Sequence, residues 1–250
     1  MAKKFTLVDK TLVGIYFLDK IIDATIGASQ RAYDYRKLPP FTPAGYKGSA
    51  LHQHLYRMLK TGYLAKEIVR GEPVLAITRG GKHKLARQFS YFKMRDEGWD
   101  GFWRLVIFDI SEKQRFLRDK LRRKLKELGF GLWQKSIYIS PFDLEEDMRE
   151  FLDAENLTGK AYVLTAKHKL LGDARNLADQ VWDLTNLNLS YGDILSKLDN
   201  MKVKLAEVYQ QYLEVLEIDP CLPKELLPIN WQGEKVRDKF KKRFRDTIGA

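Results

Sequence analysis

The stretch WRLVIFDIS, residues 103–111, places a carboxylate inside an apolar run. Leu105, Val106, Ile107, Phe108 and Ile110 read as a buried strand over 103–110, with Asp109 among them. An unpaired carboxylate is costly to bury, so Asp109 is either used or left at an exposed strand end. The ordinary task for an Asp between strand and helix is the N-cap. Ser111 and Gln114, however, complete the capping-box pattern S-E-K-Q, which predicts a helix start that does not need Asp109. Two readings stay open. In one, the carboxylate bonds nearby backbone or a basic side chain at the strand's exposed end. In the other, Asp109 copies from two protomers converge on a divalent cation and make a metal-dependent nuclease, since one carboxylate alone would hold the ion poorly. The nearest other acids, Glu112 and Asp119, fall on the adjoining helix without an evident shared geometry.

The remaining chemistry-bearing residues offer less. His52 and His54 are two apart on a helix and diverge, and His83 and His168 are isolated. With the single Cys221 there is no zinc constellation, and no metal or cofactor is expected. TRGGKH lacks the spacing and strand-to-helix setting of a phosphate loop. Charge is more informative. A net charge of +11 favours phosphate-rich partners, a basic protein without such a partner being the alternative. The helix at 113–127 carries eight basic residues against two acidic ones, with Arg118, Arg122 and Lys126 along one side. Helix 234–245 is similarly basic. Solvated helix faces explain most such runs, so a nucleic-acid or acidic partner is one of two readings.

At 250 residues, with 44% hydrophobic and 12% aromatic side chains, the chain can build packed cores. No apolar run approaches the ~20 residues of a membrane span. The N-terminus lacks a small-residue cleavage site, and one cysteine fits a reducing compartment, so a cytoplasmic protein with no membrane partner is expected. The pattern divides into segments 1–88, 89–170 and 171–250. In the first, Asp9 is a candidate N-cap for the helical pattern DKTLVGIYFLDKIIDATI. Leu51, Leu55, Met58 and Leu59 share one face of a helix over 48–60, which Gly62 ends. YLAKEIV and PVLAIT then flank RGE as a hairpin. Helices before a two-stranded wing, closed by T-x-x-G-x-x-x-L (Thr78, Gly81, Leu85), resemble a winged helix-turn-helix domain. That resemblance implies a recognition helix at 48–60 whose solvent face carries Ser49, Gln53, Tyr56, Arg57 and Lys60. Lys47 lies just before it and Arg70 at the wing tip. Gln and Arg pair with base edges, while Lys and Ser usually hold phosphates. An ordinary wet surface and a protein-binding winged helix are the alternatives.

The central segment reads as strand 103–110, an amphipathic helix striped by Leu117, Leu121, Leu125 and Leu128, the strand region LWQKSIYIS, helix DLEEDMREFLDAEN and strand KAYVLTAK. This β-α-β-α-β order, with a middle region long enough for a bend or two short strands, suggests a ferredoxin-like sandwich with both helices on one sheet face. The last segment is helical: GDARNLADQVWDLTNL, then SYGDILSKLDNMKVKLAEVYQQYLEVLEI, an irregular proline-anchored turn, and a final basic helix. The expected class is α+β: an N-terminal winged helix, a central ferredoxin-like β-α-β sandwich and a helical C-terminal domain.

The run from Leu105 to Ser140 is similar to the CRISPR-associated protein two family, with Asp109, Gly129, Phe130, Gln134 and Ser136 at its motif positions. In that family the first-strand aspartate is the proposed metal ligand of a nuclease. Over the whole chain, EGWDGFWRLVIFDISE (97–112) and DPCLPKELLPINWQG (219–233) resemble motifs of the PaaX family of bacterial transcriptional repressors. That resemblance implies a non-enzymatic homodimer on a double-stranded DNA operator, governing a catabolic operon of the phenylacetate type and released by an aryl-CoA or related effector. It also makes Asp109 an inherited structural residue rather than a working metal ligand.

Overall fold

Residues 6–18, 20–22, 48–69, 72–88 and 98–248 are described in a computed structural model of the chain. The fold is α+β and divides into two compact units, one of 98–187 with 219–230, the other of 6–88, 188–218 and 231–248.

In the second of these units, helix α1 (Leu7–Leu18) begins one turn earlier than the Asp9 cap would require. Thr6 is the residue at its start. Its N–H and hydroxyl donate to Asp9 Oδ2 at 2.8 and 2.6 Å, and Asp9 N–H donates back to Thr6 Oγ1 at 3.2 Å. Asp9 is therefore the third-position partner in a reciprocal box. The helical pattern also stops sooner than expected. Lys20–Ile22 form strand β1, because the β-branched pair Ile21–Ile22 finds a free strand edge to bond. Helix α2 (Gly48–Lys60) is followed by β2 (Leu64–Val69), β3 (Glu72–Ile77) and α3 (Arg79–Gln88). The antiparallel sheet has the order β1-β3-β2, with the hairpin register running from Leu64↔Ile77 to Val69↔Glu72. Gly62, at φ +73°, ends α2 in a Schellman turn: Tyr63 N–H donates to Met58 O at 2.9 Å and Gly62 N–H to Leu59 O at 3.1 Å.

The other unit runs β4 (Phe102–Phe108), α4 (Arg115–Glu127), β5 (Gly131–Gln134), β6 (Ile137–Ser140), α5 (Glu145–Ala154), β7 (Ala161–Lys167) and α6 (Ala174–Trp182). The middle β region resolves into two strands, and the antiparallel sheet has the order β5-β6-β4-β7. Arg122 of α4 lies over the Phe108 ring at 5.9 Å, and Glu145 of α5 accepts from Thr165. The register puts Phe108 and Thr165 on the same face, so both helices cover that face. The opposite face meets α6: Trp103 stacks on Trp182 at 6.2 Å, and Gly131 lies against Val181 and Trp182. β4 ends at Phe108, two residues short of the expected boundary.

The C-terminal helices break elsewhere than the apolar pattern suggests. Asp183 adopts φ +55° between α6 and α7 (Leu184–Asp199), and its carboxylate takes the Asn186 side-chain amide at 2.9 Å. The second pattern splits after Asp199, where Asn200 Oδ1 accepts Lys202 N–H at 3.0 Å and turns the chain into α8 (Leu205–Ile218). α9 (Gly233–Ile248) ends the described chain. Tyr212 and Tyr209 of α8 pack on Phe240 of α9 at 5.0 and 6.2 Å, and Trp231 meets Tyr191 edge-on at 5.3 Å.

Candidate nucleic-acid interface

Successive residues of a helix turn by about 100°, so α2 separates cleanly into two faces. Leu51, Leu55 and Met58 are buried, whereas Leu59 is only half-buried. Gln53, Tyr56, Arg57 and Lys60 are exposed on the opposite side, at the i, i+3, i+4, i+7 spacing of one stripe. Ser49 lies within α2, but its side chain, with Lys47 and Arg70, falls outside the described residues. Neither α2 nor α3 contains an acidic residue.

His54, on the edge of the buried face, has an Nε2 without a hydrogen-bond partner. Burial, and then the nearby Arg57 charge, hold its pKa below the ordinary 6.5. The folded chain therefore resists a proton that the unfolded chain accepts. Stability is full above pH 6.5 and declines as pH falls below it. His54→Gln is expected to flatten that part of the pH profile, read as the change in urea midpoint between about pH 7.5 and 5.5. An unchanged profile would remove His54 as the cause.

The start of α3 is locked to the end of α2. The Thr78 hydroxyl donates to Gly62 O at 2.6 Å and accepts the Gly81 N–H at 3.1 Å, while Thr78 N–H donates to Tyr63 O at 3.1 Å. A Cβ on Gly81 would stand 2.7 Å from Ile77 Cγ1 and closer still to the Tyr63 carbonyl oxygen. The T-x-x-G pattern thus specifies a close approach of two backbones. It also brings Arg79, Lys82 and His83, all exposed, to the C-terminal end of α2, and Lys84 lies 5.5 Å over the Tyr63 ring. Sequence reasoning passed over Arg79 and Lys82. The available signal was the wholly non-acidic run RGGKHKLARQ.

The basic residues of α4 are largely tied up within the fold, and two of those in α9 are. In α4, Arg118 forms a two-point contact to Glu112 at 2.7 and 3.1 Å, and Lys120 reaches Glu155 at 2.5 Å. Arg115 lies 3.6 Å from Asp119, Arg122 donates to Lys135 O at 3.4 Å, and Lys124 lies over Phe151. The Arg118 hydrogen bond, and then its charge, hold the Glu112 carboxyl below its usual range. Of the expected stripe only Lys126 is simply exposed. In α9, Lys239 pairs with Asp199 and Arg243 is buried.

Asp109 stands exposed just beyond β4, its N–H donating to Lys160 O at 2.9 Å. The next two acids along the chain, Glu112 and Asp119, are held by Arg118 and Arg115. Among the described residues no group of three or more His, Cys, Asp or Glu could hold a metal ion. The S-E-K-Q box does not form. Gln114 N–H bonds the Ser111 backbone carbonyl at 2.9 Å, closing a 3-10 turn over Glu112–Gln114, and Ser111 makes no side-chain cap bond. α4 then starts from Gln114, so Asp109 is not its cap.

Comparisons with known proteins extend this geometry. Residues 96–178 match the family described as the PaaX protein central Cas2-like domain, and residues 182–248 match the PaaX-like protein C-terminal domain. The transcriptional repressor PaaX of Escherichia coli (strain K12) is 24% identical over 203 residues, 73% of this chain. The match spans 64% of that repressor's own length. In structure, the chain resembles the uncharacterized protein Rv0674 from Mycobacterium tuberculosis, with a TM-score of 0.50, 22% identity, and coverage of 96% of this chain and 99% of that one. The architecture is thus that of an α+β protein built around a Cas2-like central domain. The chain belongs to the PaaX family.

Proposed function

We propose that the chain is a DNA-binding transcriptional repressor that reads its operator through α2. The observation that carries this is the α2 surface: Gln53, Tyr56, Arg57 and Lys60 exposed in one acid-free stripe, directly opposite the buried Leu51, Leu55 and Met58. Among the described residues, three helices and a hairpin sheet in the order α1-β1-α2-β2-β3-α3 support a winged helix, with α2 entering the major groove and the hairpin as its wing. The β-α-β-β-α-β succession of the central domain supports a ferredoxin-like sandwich. On this reading Gln53 and Arg57 contact base edges, and Lys60, with Lys47 and Ser49, grips backbone. A homodimer places two such helices on a near-palindromic site. The family relationship supports repression of a catabolic operon in the cytoplasm, of the phenylacetate type, with an aryl-CoA or related effector releasing the DNA. Non-enzymatic action fits the exposed, lone position of Asp109.

Arg57→Ala is expected to weaken binding to a duplex selected from a random pool by about 1–3 kcal/mol and to relax preference at one base position. An unchanged affinity and an unchanged selected sequence would overturn the assignment of α2.

A further inference from the structure

Most of the basic residues of α4 are partnered inside the fold, but those at the corner between α2 and α3 are not. Arg57 and Lys60 at the end of α2, and Arg79 and Lys82 in the first turn of α3, are all exposed. None of them forms an ion pair among the described residues. The corner is also rigid. Thr78 bonds Gly62, Tyr63 and Gly81, and a Cβ on Gly80 would stand only 3.3 Å from Gly62 O. The α3 cations are therefore held at a fixed place beside α2, rather than on a free arm.

We infer that Arg79 and Lys82 form a second DNA contact, gripping the phosphate backbone beside the groove that receives α2. This rests on the DNA-binding reading above and adds to it a site on a different element. Recognition helices address bases chiefly from their N-terminal part, so the C-terminal end of α2 is where the helix leaves the groove and meets the strand backbone. The carbonyl end of a helix repels phosphate, and of the two cations in the last turn of α2, Arg57 is assigned to a base, which leaves Lys60 to offset that. Arg79 and Lys82 supply the positive charge that the location lacks. As Arg and Lys contacts to phosphate, they add affinity and register but carry no sequence information.

The test uses the full chain, a labelled duplex recovered by it from a random pool, and a scrambled duplex of the same composition. Binding is titrated over a range of NaCl concentrations. The double variant Arg79→Gln/Lys82→Gln is expected to weaken binding to both duplexes by the same factor. It is also expected to lower the slope of log K against log salt by about 1.8 for each protomer bound, and so by about 3.6 for the dimer, roughly 0.9 for each phosphate no longer neutralised. The charge-preserving Arg79→Lys/Lys82→Arg is expected to keep the slope. Both residues are exposed, so thermal midpoints should match the wild type. A wild-type slope in the double variant, with Arg57→Ala still altering base preference, overturns this inference and leaves the α2 reading standing. Loss confined to the selected duplex also overturns it, because Arg79 and Lys82 would then be base readers. A wild-type chain that binds no duplex at any salt overturns both readings and makes an acidic protein the occupant of the corner.

Discussion

Arg243→Met is expected to lower the unfolding free energy of the unit that contains α7, α8 and α9 by about 3 kcal/mol. Arg243 is nearly buried, and its guanidinium closes the C-terminal end of α7. Nη1 donates to Leu198 O at 3.1 Å and to Lys197 O and Asn200 O at 3.4 Å, while Nη2 donates to Val203 O at 3.1 Å. The last carbonyls of a helix have no partners of their own, and a cation there also meets the negative end of the helix dipole. Methionine fills much of the same volume but donates nothing. Arg243→Lys keeps the charge and loses the planar fork, so it should retain about half of the effect. Urea unfolding of the three proteins checks this. A loss below about 1 kcal/mol in Arg243→Met would show that water replaces the guanidinium at little cost.

Gly131→Val is expected to be comparably severe, about 3 kcal/mol, with loss of folding at physiological temperature as its extreme form. A side chain there would place Cβ 2.7 and 2.9 Å from carbons of the Trp182 ring and closer still to Val181 Cγ1. Only a shift of α6 away from the sheet relieves this, and such a shift uncovers Trp103, which is fully buried against Trp182. Gly131→Ala should show a reduced form of the same defect, and adding Val181→Ala should recover part of it, since the two residues share one contact. Gly192→Ala supplies the contrast: it lies within α7 with open space around its Cβ position and should be neutral or slightly stabilising. Equal effects at positions 131 and 192 would refute the packing account.

What sequence could reveal here followed from how local the cause was. Leu51, Leu55 and Met58 announced the buried side of α2, and Gly62 its end, because periodicity and a positive φ are properties of a few neighbouring residues. The middle strand region was legible as β, with a bend and two short strands both open, and the choice between them was not, since the turn between β5 and β6 has no strong punctuating residue. Caps were read less well. Thr6 rather than Asp9 opens α1, and the S-E-K-Q pattern yields a 3-10 turn in which Gln114 N–H bonds the Ser111 carbonyl and the Ser111 side chain caps nothing. The candidate interface was half visible. The α2 stripe could be read from spacing alone. Arg79 and Lys82 join it only through the Thr78 and Gly81 contacts, which bring together segments that lie about 16 residues apart. Likewise the basic run in α4 looked like a binding surface until its long-range partners, Glu155 and Phe151, were placed.

The division of the chain between its two units bears on the order in which they are made. The helix and hairpin proposed to read DNA leave the ribosome before the Cas2-like domain. Their companions in the same unit, α8 and α9, leave later, after the Cas2-like domain matched by residues 96–178. Within that unit Lys10 of α1 pairs with Glu217 of α8 at 3.0 Å, a contact between residues more than 200 positions apart. During synthesis the central domain has its own complete set of strands and can fold early, while the unit proposed to read DNA must wait for α8 and α9. A nascent chain of this design therefore completes the unit proposed to read DNA only after the helices that follow the Cas2-like domain have emerged.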